Sequence, residues 1–164
     1  MRISKRGEYA LRALINLGIA REVGRGVVQT SELAGGDNIP VKFLEQILVQ
    51  MKNARILESR RGKGGGYTLA KRPSEIRIGD VVRLLDGPLA PIGCVSQSAY
   101  APCSCPDEKH CGLRALMLDV RNAIASILDG ATLESVVGVT VRRLRRDRKA
   151  LPFARKRAPA RARR

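Results

Sequence analysis

The chain has 164 residues, enough for one well-cored domain with an appended arm. Its hydrophobic content of 44% is that of a globular protein, and no apolar run approaches the roughly 20 residues that span a bilayer, which excludes a membrane protein. The net charge of +16 invites a polyanionic partner, yet 12 Lys/Arg against one acid (Asp147) lie in residues 142–164, leaving 19 basic and 14 acidic residues, a net of +5, in residues 1–141.

The start, Met1-Arg2-Ile3-Ser4-Lys5-Arg6, leads into an amphipathic segment without a signal-peptide cleavage pattern, so the chain is expected in the cytoplasm. Ser4 is a candidate N-cap for a helix running through Tyr9–Ala20. That segment is apolar on most of its circumference and needs cover on several sides, from its own chain or from a partner. Glu8, one turn in, complements the helix macrodipole. Gly24-Arg25-Gly26 makes a turn and Val27-Val28-Gln29 a short strand. Thr30 is the cap candidate of a second helix, which should break at Gly35-Gly36-Asp37-Asn38.

After Pro40, apolar residues recur at Phe43, Leu44, Ile47, Leu48 and Met51, the stripe of an amphipathic helix. Its other face carries Lys42, Glu45, Gln46, Gln50 and Lys52, long polar side chains able to reach base edges and phosphates in a major groove. Ile56–Ser59 and Tyr67-Thr68-Leu69 then flank the cationic loop Arg60-Arg61-Gly62-Lys63-Gly64-Gly65-Gly66, which reads as a β-hairpin with a mobile tip. No helix opens on this loop, unlike the phosphate cradle of a nucleotide enzyme. Two helices joined by a glycine-bearing turn, followed by a basic hairpin, have the layout of a winged helix-turn-helix domain that binds DNA. Lys42, Glu45, Gln46, Gln50, Arg60, Arg61, Lys63, Gly64, Gly65 and Tyr67 are its candidate contacts.

A further helix, from Ile78 to Asp86-Gly87-Pro88, is expected to pack under the wing and to close a domain at residues 1–88. Residues 89–111 form a loop long enough to need something that orders it, and it holds all four cysteines. Beyond Cys111, Leu113, Leu116, Met117, Val120, Ile124 and Leu128 repeat at helical spacing. Thr132 caps another helix with Leu133, Val136, Val137, Val141 and Leu144 on one face. These helices, residues 112–146, make either a core of the same chain or a dimer seam; helix-turn-helix proteins that read two half-sites favour the dimer. Residues 147–164 read as a basic, disordered tail, either a solvated arm or one that adds salt-sensitive attraction to DNA. The whole is mainly α with a small β-hairpin wing: a winged helix-turn-helix domain plus a long C-terminal dimerisation helix.

Cys94, Cys103, Cys105 and Cys111 are separated by gaps of eight, one and five residues. Disulfides do not persist in a cytosolic chain, and paired two-residue spacings typical of zinc sites are missing. What remains is a soft metal or iron–sulfur centre, or a reversible thiol switch. His110 reads as a bystander, and Asp107, Glu108 and Lys109 as solvated turn residues. An enzyme lacks parts: there is one histidine and no Ser/His/Asp or Cys/His arrangement. A non-specific nucleic-acid coater driven by the arginine tail is the other alternative.

Over about residues 1–135, the N-terminal run Met1–Leu14, the helix Phe43–Leu48, the wing Arg60–Tyr67 and the helix from Asp80 to Gly87 resemble the Rrf2 family of bacterial transcription regulators. The resemblance implies a homodimer of winged-helix domains that binds double-stranded operator DNA, as repressor or activator, in response to iron–sulfur status, nitric oxide, iron or cysteine supply. It assigns base reading to Glu45 and Gln46, and entry into the minor groove to Arg61 and the Gly64–Tyr67 segment. It also implies a [2Fe-2S] or [4Fe-4S] cluster on Cys94, Cys105 and Cys111. Cys103, a thiol beyond the family's three, or Glu8 of the other subunit would be the fourth ligand. Arg114 stands where one branch of the family has a ligating histidine. Relatives without a cluster answer instead to a metabolic enzyme partner, a regulatory protein contact that this chain would then share.

Overall fold

The computed structural model describes residues 2–154. The Ser4 hydroxyl accepts from the Gly7 N–H and caps α1 (Lys5–Glu22). Ala10, Ala13, Leu14, Leu17, Gly18, Ile19 and Ala20 are buried around most of this helix. Its own chain supplies the cover. The small residues let neighbours come close: a Cβ on Gly18 would sit 2.5 Å from a Val137 methyl.

α2 (Thr30–Asp37) is capped by Gln29, not Thr30, and runs straight through Gly35 and Gly36, where a break was expected. The reason is a clamp from α1. Arg12 donates to the Asp37 carbonyl at 2.8 Å and Asn16 to its carboxylate at 2.8 Å, holding the last turn and setting a cation at the helix's negative end. The chain reverses one residue later, at Asn38, in the left-handed region (φ 54°). α3 (Val41–Asn53) follows with Pro40 at its N-cap and buries Leu44, Ile47, Leu48 and Met51.

β1 (Leu57–Arg60) and β2 (Gly66–Leu69) pair antiparallel, from Leu57 opposite Leu69 to Arg60 opposite Gly66. Val28 adds a third rung, exchanging backbone hydrogen bonds of 3.0 and 2.9 Å with Tyr67. Gly66 is required there, because a Cβ would run into the Val28 carbonyl.

α4 (Ile78–Asp86) does not pack under the wing. It lies against α1 and α5 (Gly112–Gly130). Val81 joins the main core, whereas Ile78 and Val82 meet Leu89, Ile124 and Leu128 in a second, smaller cluster. Arg83 fastens the pair by donating to both carboxylate oxygens of Asp129, at 2.6 and 2.8 Å.

α6 (Leu133–Arg146), capped by Thr132, turns back and sends Leu133, Val137 and Val141 into the core beside α1. The unit expected at residues 112–146 therefore divides, α6 joining the N-terminal body. Residues 147–154, expected to belong to a free tail, do not all leave the core: Leu151 and Phe153 pack against it, with the Arg25 guanidinium 5.7 Å from the Phe153 ring centre. The rest of that expectation, residues 155–164, lies outside the described residues. The fold is mostly helical with one antiparallel hairpin, and among the described residues no helix is long and apolar enough to cross a membrane.

Candidate nucleic-acid interface and thiol cluster

On α3 the buried stripe leaves Lys42, Glu45, Gln46, Val49 and Lys52 exposed on the opposite face. Gln50 is not with them. Its side-chain N–H donates to the Leu84 carbonyl at 3.0 Å and its oxygen is buried, so Gln50 ties α3 to α4 and cannot read a base from there. Val49 was absent from the sequence candidates; it stands half exposed in the row of Lys42, Glu45 and Gln46, an apolar group of the kind that meets a thymine methyl.

The hairpin tip turns on Gly62 and Gly64, both in the left-handed region, and is closed by a 2.8 Å bond from the Gly65 N–H to the Gly62 carbonyl. Arg60, Arg61 and Lys63 are exposed on it. Arg12, Arg25, Arg72, Arg83 and Arg114 each sit on a carboxylate; the three wing cations have none among the described residues. Their charge faces solvent unneutralised. Tyr67 is half buried with its backbone spent on Val28, and burial, with the Glu45 carboxylate nearby, pushes its phenol above the ordinary value. It ties the wing to the Val28 segment and packs against the core as a neutral side chain.

All four cysteines line one cavity of about 300 Å³, walled by Ile92, Pro102, Leu113 and Arg114. Cys94 comes from a buried 3₁₀ turn (Gly93–Val95), Cys103 and Cys105 from the following loop, and Cys111 from the N-cap of α5, where its sulfur accepts from the Arg114 N–H at 3.4 Å. The thiols neighbour one another in the order Cys94, Cys103, Cys105, Cys111. Bonds from the Cys105 backbone N–H and thiol hold Cys103 below the usual thiol value. Contacts with Cys103 and Cys111 push Cys105 up to about 11, and burial raises Cys94. Cys103 is thus the first of the three to become a thiolate. Cys103 sits inside the row rather than outside it.

Among the described residues no three His, Cys, Asp or Glu converge on one ion position. Four thiols in one cavity are soft donors, of the type that hold soft metals and iron–sulfur centres. Within one chain Glu8 lies outside the cavity, which leaves the expectation for Glu8 of the other subunit untouched; it pairs with Lys5 at 2.8 Å and Arg12 at 3.5 Å, and the Lys5 hydrogen bond holds its carboxyl below the ordinary range. His110 is exposed and bonded to Asp107 at 2.6 Å. Glu108, expected to be a solvated turn residue, is a hub: it accepts from Tyr100 at 2.8 Å and from Arg114 at 3.1 Å, and Cys103 lies 4.0 Å away. Two of its partners lie in an irregular loop and the third on the first turn of α5, so periodicity carried no signal for it.

The model of the Rrf2 family, described as an iron-dependent transcriptional regulator, matches residues 3–138. The chain is 31% identical to the HTH-type transcriptional regulator CymR of Bacillus subtilis, over 85% of this chain and 92% of that one. It is 29% identical to the HTH-type transcriptional repressor NsrR of Streptomyces coelicolor, over 84% and 88%. Among solved structures it is similar to CymR, the global cysteine regulator of B. subtilis, with a TM-score of 0.71 at 29% identity over 85% of this chain and 98% of that one. The IscR structure from T. potens gives 0.65 at 26% identity over 85% and 88%. These relatives are regulators of transcription and not enzymes, and this chain is a member of the Rrf2 family of transcriptional regulators.

Proposed function

We propose that the chain binds operator DNA as a homodimer and that the state of the Cys94–Cys111 loop sets its affinity. The observation that carries this reading is the position of Cys111. It is the N-cap of α5, so the thiol cluster sits at the start of the same helix that exposes Leu113, Leu116, Val120 and Ile127. Those four residues follow the three- and four-residue steps of a heptad seam, which two copies of α5 would bury against each other. Ordering the loop then orders the helix that spaces the two α3 helices. A coupling of about 1–3 kcal/mol, roughly 5–150-fold in affinity, suffices.

On DNA, Lys42, Glu45 and Gln46 of α3 face the major groove, while Arg60, Arg61 and Lys63 carry the wing, on the Gly64–Gly65 turn, to the adjacent minor groove. Cys94, Cys103, Cys105 and Cys111 would hold an iron–sulfur cluster, four thiolates from one chain, without Glu8 of the other subunit. Such a group supplies one-electron redox chemistry and lability toward oxygen and nitric oxide. Oxygen-free protein is expected to be coloured, with iron and acid-labile sulfide in equal amounts, and to bleach in air. Colourless, iron-free protein under those conditions would remove the cluster and leave DNA binding in place.

The lowered pKa of Cys103 beside Cys105 supports a second reading, a cluster-free thiol switch. It agrees with the likeness to CymR, of which an oxidised form from Staphylococcus aureus is also a structural neighbour. Iron and sulfide counts separate the two.

A further inference from the structure

Arg121 is the single buried side chain of α5, 9% exposed, and its Nε has no hydrogen-bond partner. It lines a cavity of about 100 Å³, partly open to solvent, between α4, α5 and the segment just past Cys94, together with Arg83, Leu89, Ser96, Gln97 and Ser98. No Asp or Glu lines it. Arg83 already spends both terminal nitrogens on Asp129, so its charge is answered outside the cavity. The Arg121 charge is not answered by any ion pair among the described residues. Its Nε–H is a buried donor left without an acceptor, which is costly. Ser96, also buried, accepts from the Ala99 N–H at 3.1 Å and keeps its own hydroxyl proton to donate. Arg121 and Ala125 lie on the flank of α5 turned toward α4, away from the Leu116–Val120–Ile127 stripe.

We infer that this cavity is a binding site for one small anion, a phosphate- or sulfate-like oxyanion or a small carboxylate, held by Arg121 with help from Ser96. A volume of about 100 Å³ has room for such an ion. Arg121 offers the planar fork that pairs with two oxygens at once. Because Ser96 follows Cys94 by two residues, a bound anion also pins the start of the cysteine loop to α5. The site stands on its own residues and does not depend on the cluster or on DNA binding.

The test is a titration of the full chain with inorganic phosphate, sulfate and acetate at fixed ionic strength balanced with chloride. It is followed by amide NMR shifts of Ser96, Gln97, Ser98 and Ala125. A saturable response of one ion per chain at these amides is expected, and the comparison of acetate with the two oxyanions tells which class fits. Arg121→Gln should weaken binding roughly tenfold to a hundredfold, the range of a charge-assisted hydrogen bond. Arg121→Lys, which keeps the charge and the fold but not the fork, should weaken it less. Arg148→Gln, an exposed arginine, should change nothing. Shifts that rise linearly with salt and are the same in Arg121→Lys would overturn the site. So would an Arg121→Gln chain that loses subunit association while the parent shows no anion response, since a carboxylate of the other subunit would then be the counter-charge.

Discussion

α5 and α6 carry apolar stripes of similar reach in the sequence, yet they meet opposite fates. α6 sends Leu133, Val137 and Val141 into the main core, against the small-residue face of α1. α5 gives that core nothing: Leu113, Leu116, Val120 and Ile127 remain 37–71% exposed, and the side chain it buries is an arginine. The difference lies in the neighbours rather than in the helices. α1 offers α6 a groove at Gly18, while α4 covers only one flank of α5, through Ile124, Leu128 and the Arg83–Asp129 pair. An apolar face left open on that scale is the one the proposed homodimer would bury.

The contrast is sharpest under substitution. Val137→Asp places an unpaired carboxylate in the core and should cost about 3–5 kcal/mol, enough to unfold the chain by circular dichroism. Leu116→Asp with Ile127→Asp, the same chemistry on α5, should leave the melting of the isolated subunit nearly unchanged but convert a dimer to a monomer in analytical ultracentrifugation. Loss of fold in the second pair would mean that α5 is core after all. Gly18→Ala should cost about 1–3 kcal/mol by forcing α6 away from α1, read in urea denaturation.

Smaller still is the tie between α4 and α5. The Arg83 guanidinium holds the Asp129 carboxyl below its ordinary value, so the pair's stabilisation is complete above the unfolded carboxyl's pKa. It is lost as pH falls through the lower folded value. Both side chains are about a third exposed, and solvent screening limits the contribution to about 1 kcal/mol. Asp129→Asn should therefore be less stable than the parent at neutral pH, and the gap should close as pH falls below about 4. A gap that stayed constant with pH would assign the loss to packing instead.

The regular parts of this architecture were legible from periodicity and caps: Ser4 and Thr132 cap where expected, and the stripes on α3 and α6 are buried. What escaped were contacts between residues far apart in sequence. α2 continues through Gly35 and Gly36 because Arg12 and Asn16, more than twenty residues earlier, hold Asp37. Gln50 belongs to the polar side of α3 by pattern, but it lies at the edge of the stripe where Leu84 offers a carbonyl. Glu108 and the packed Leu151 and Phe153 sit in irregular or basic stretches whose composition says nothing about partners. The thiols were recognisable as a group, but that all four meet in one cavity, Cys103 among them, needed the fold.

Fluorescence anisotropy of a duplex selected by the protein from a random pool, titrated with one oxygen-free preparation before and after oxidation of its cysteines, tests the link between loop and DNA directly. Curves displaced by at least about fivefold, the lower end of a coupling near 1 kcal/mol, are expected. Superimposable curves, with thiol counts proving that the loop had been oxidised, would contradict it.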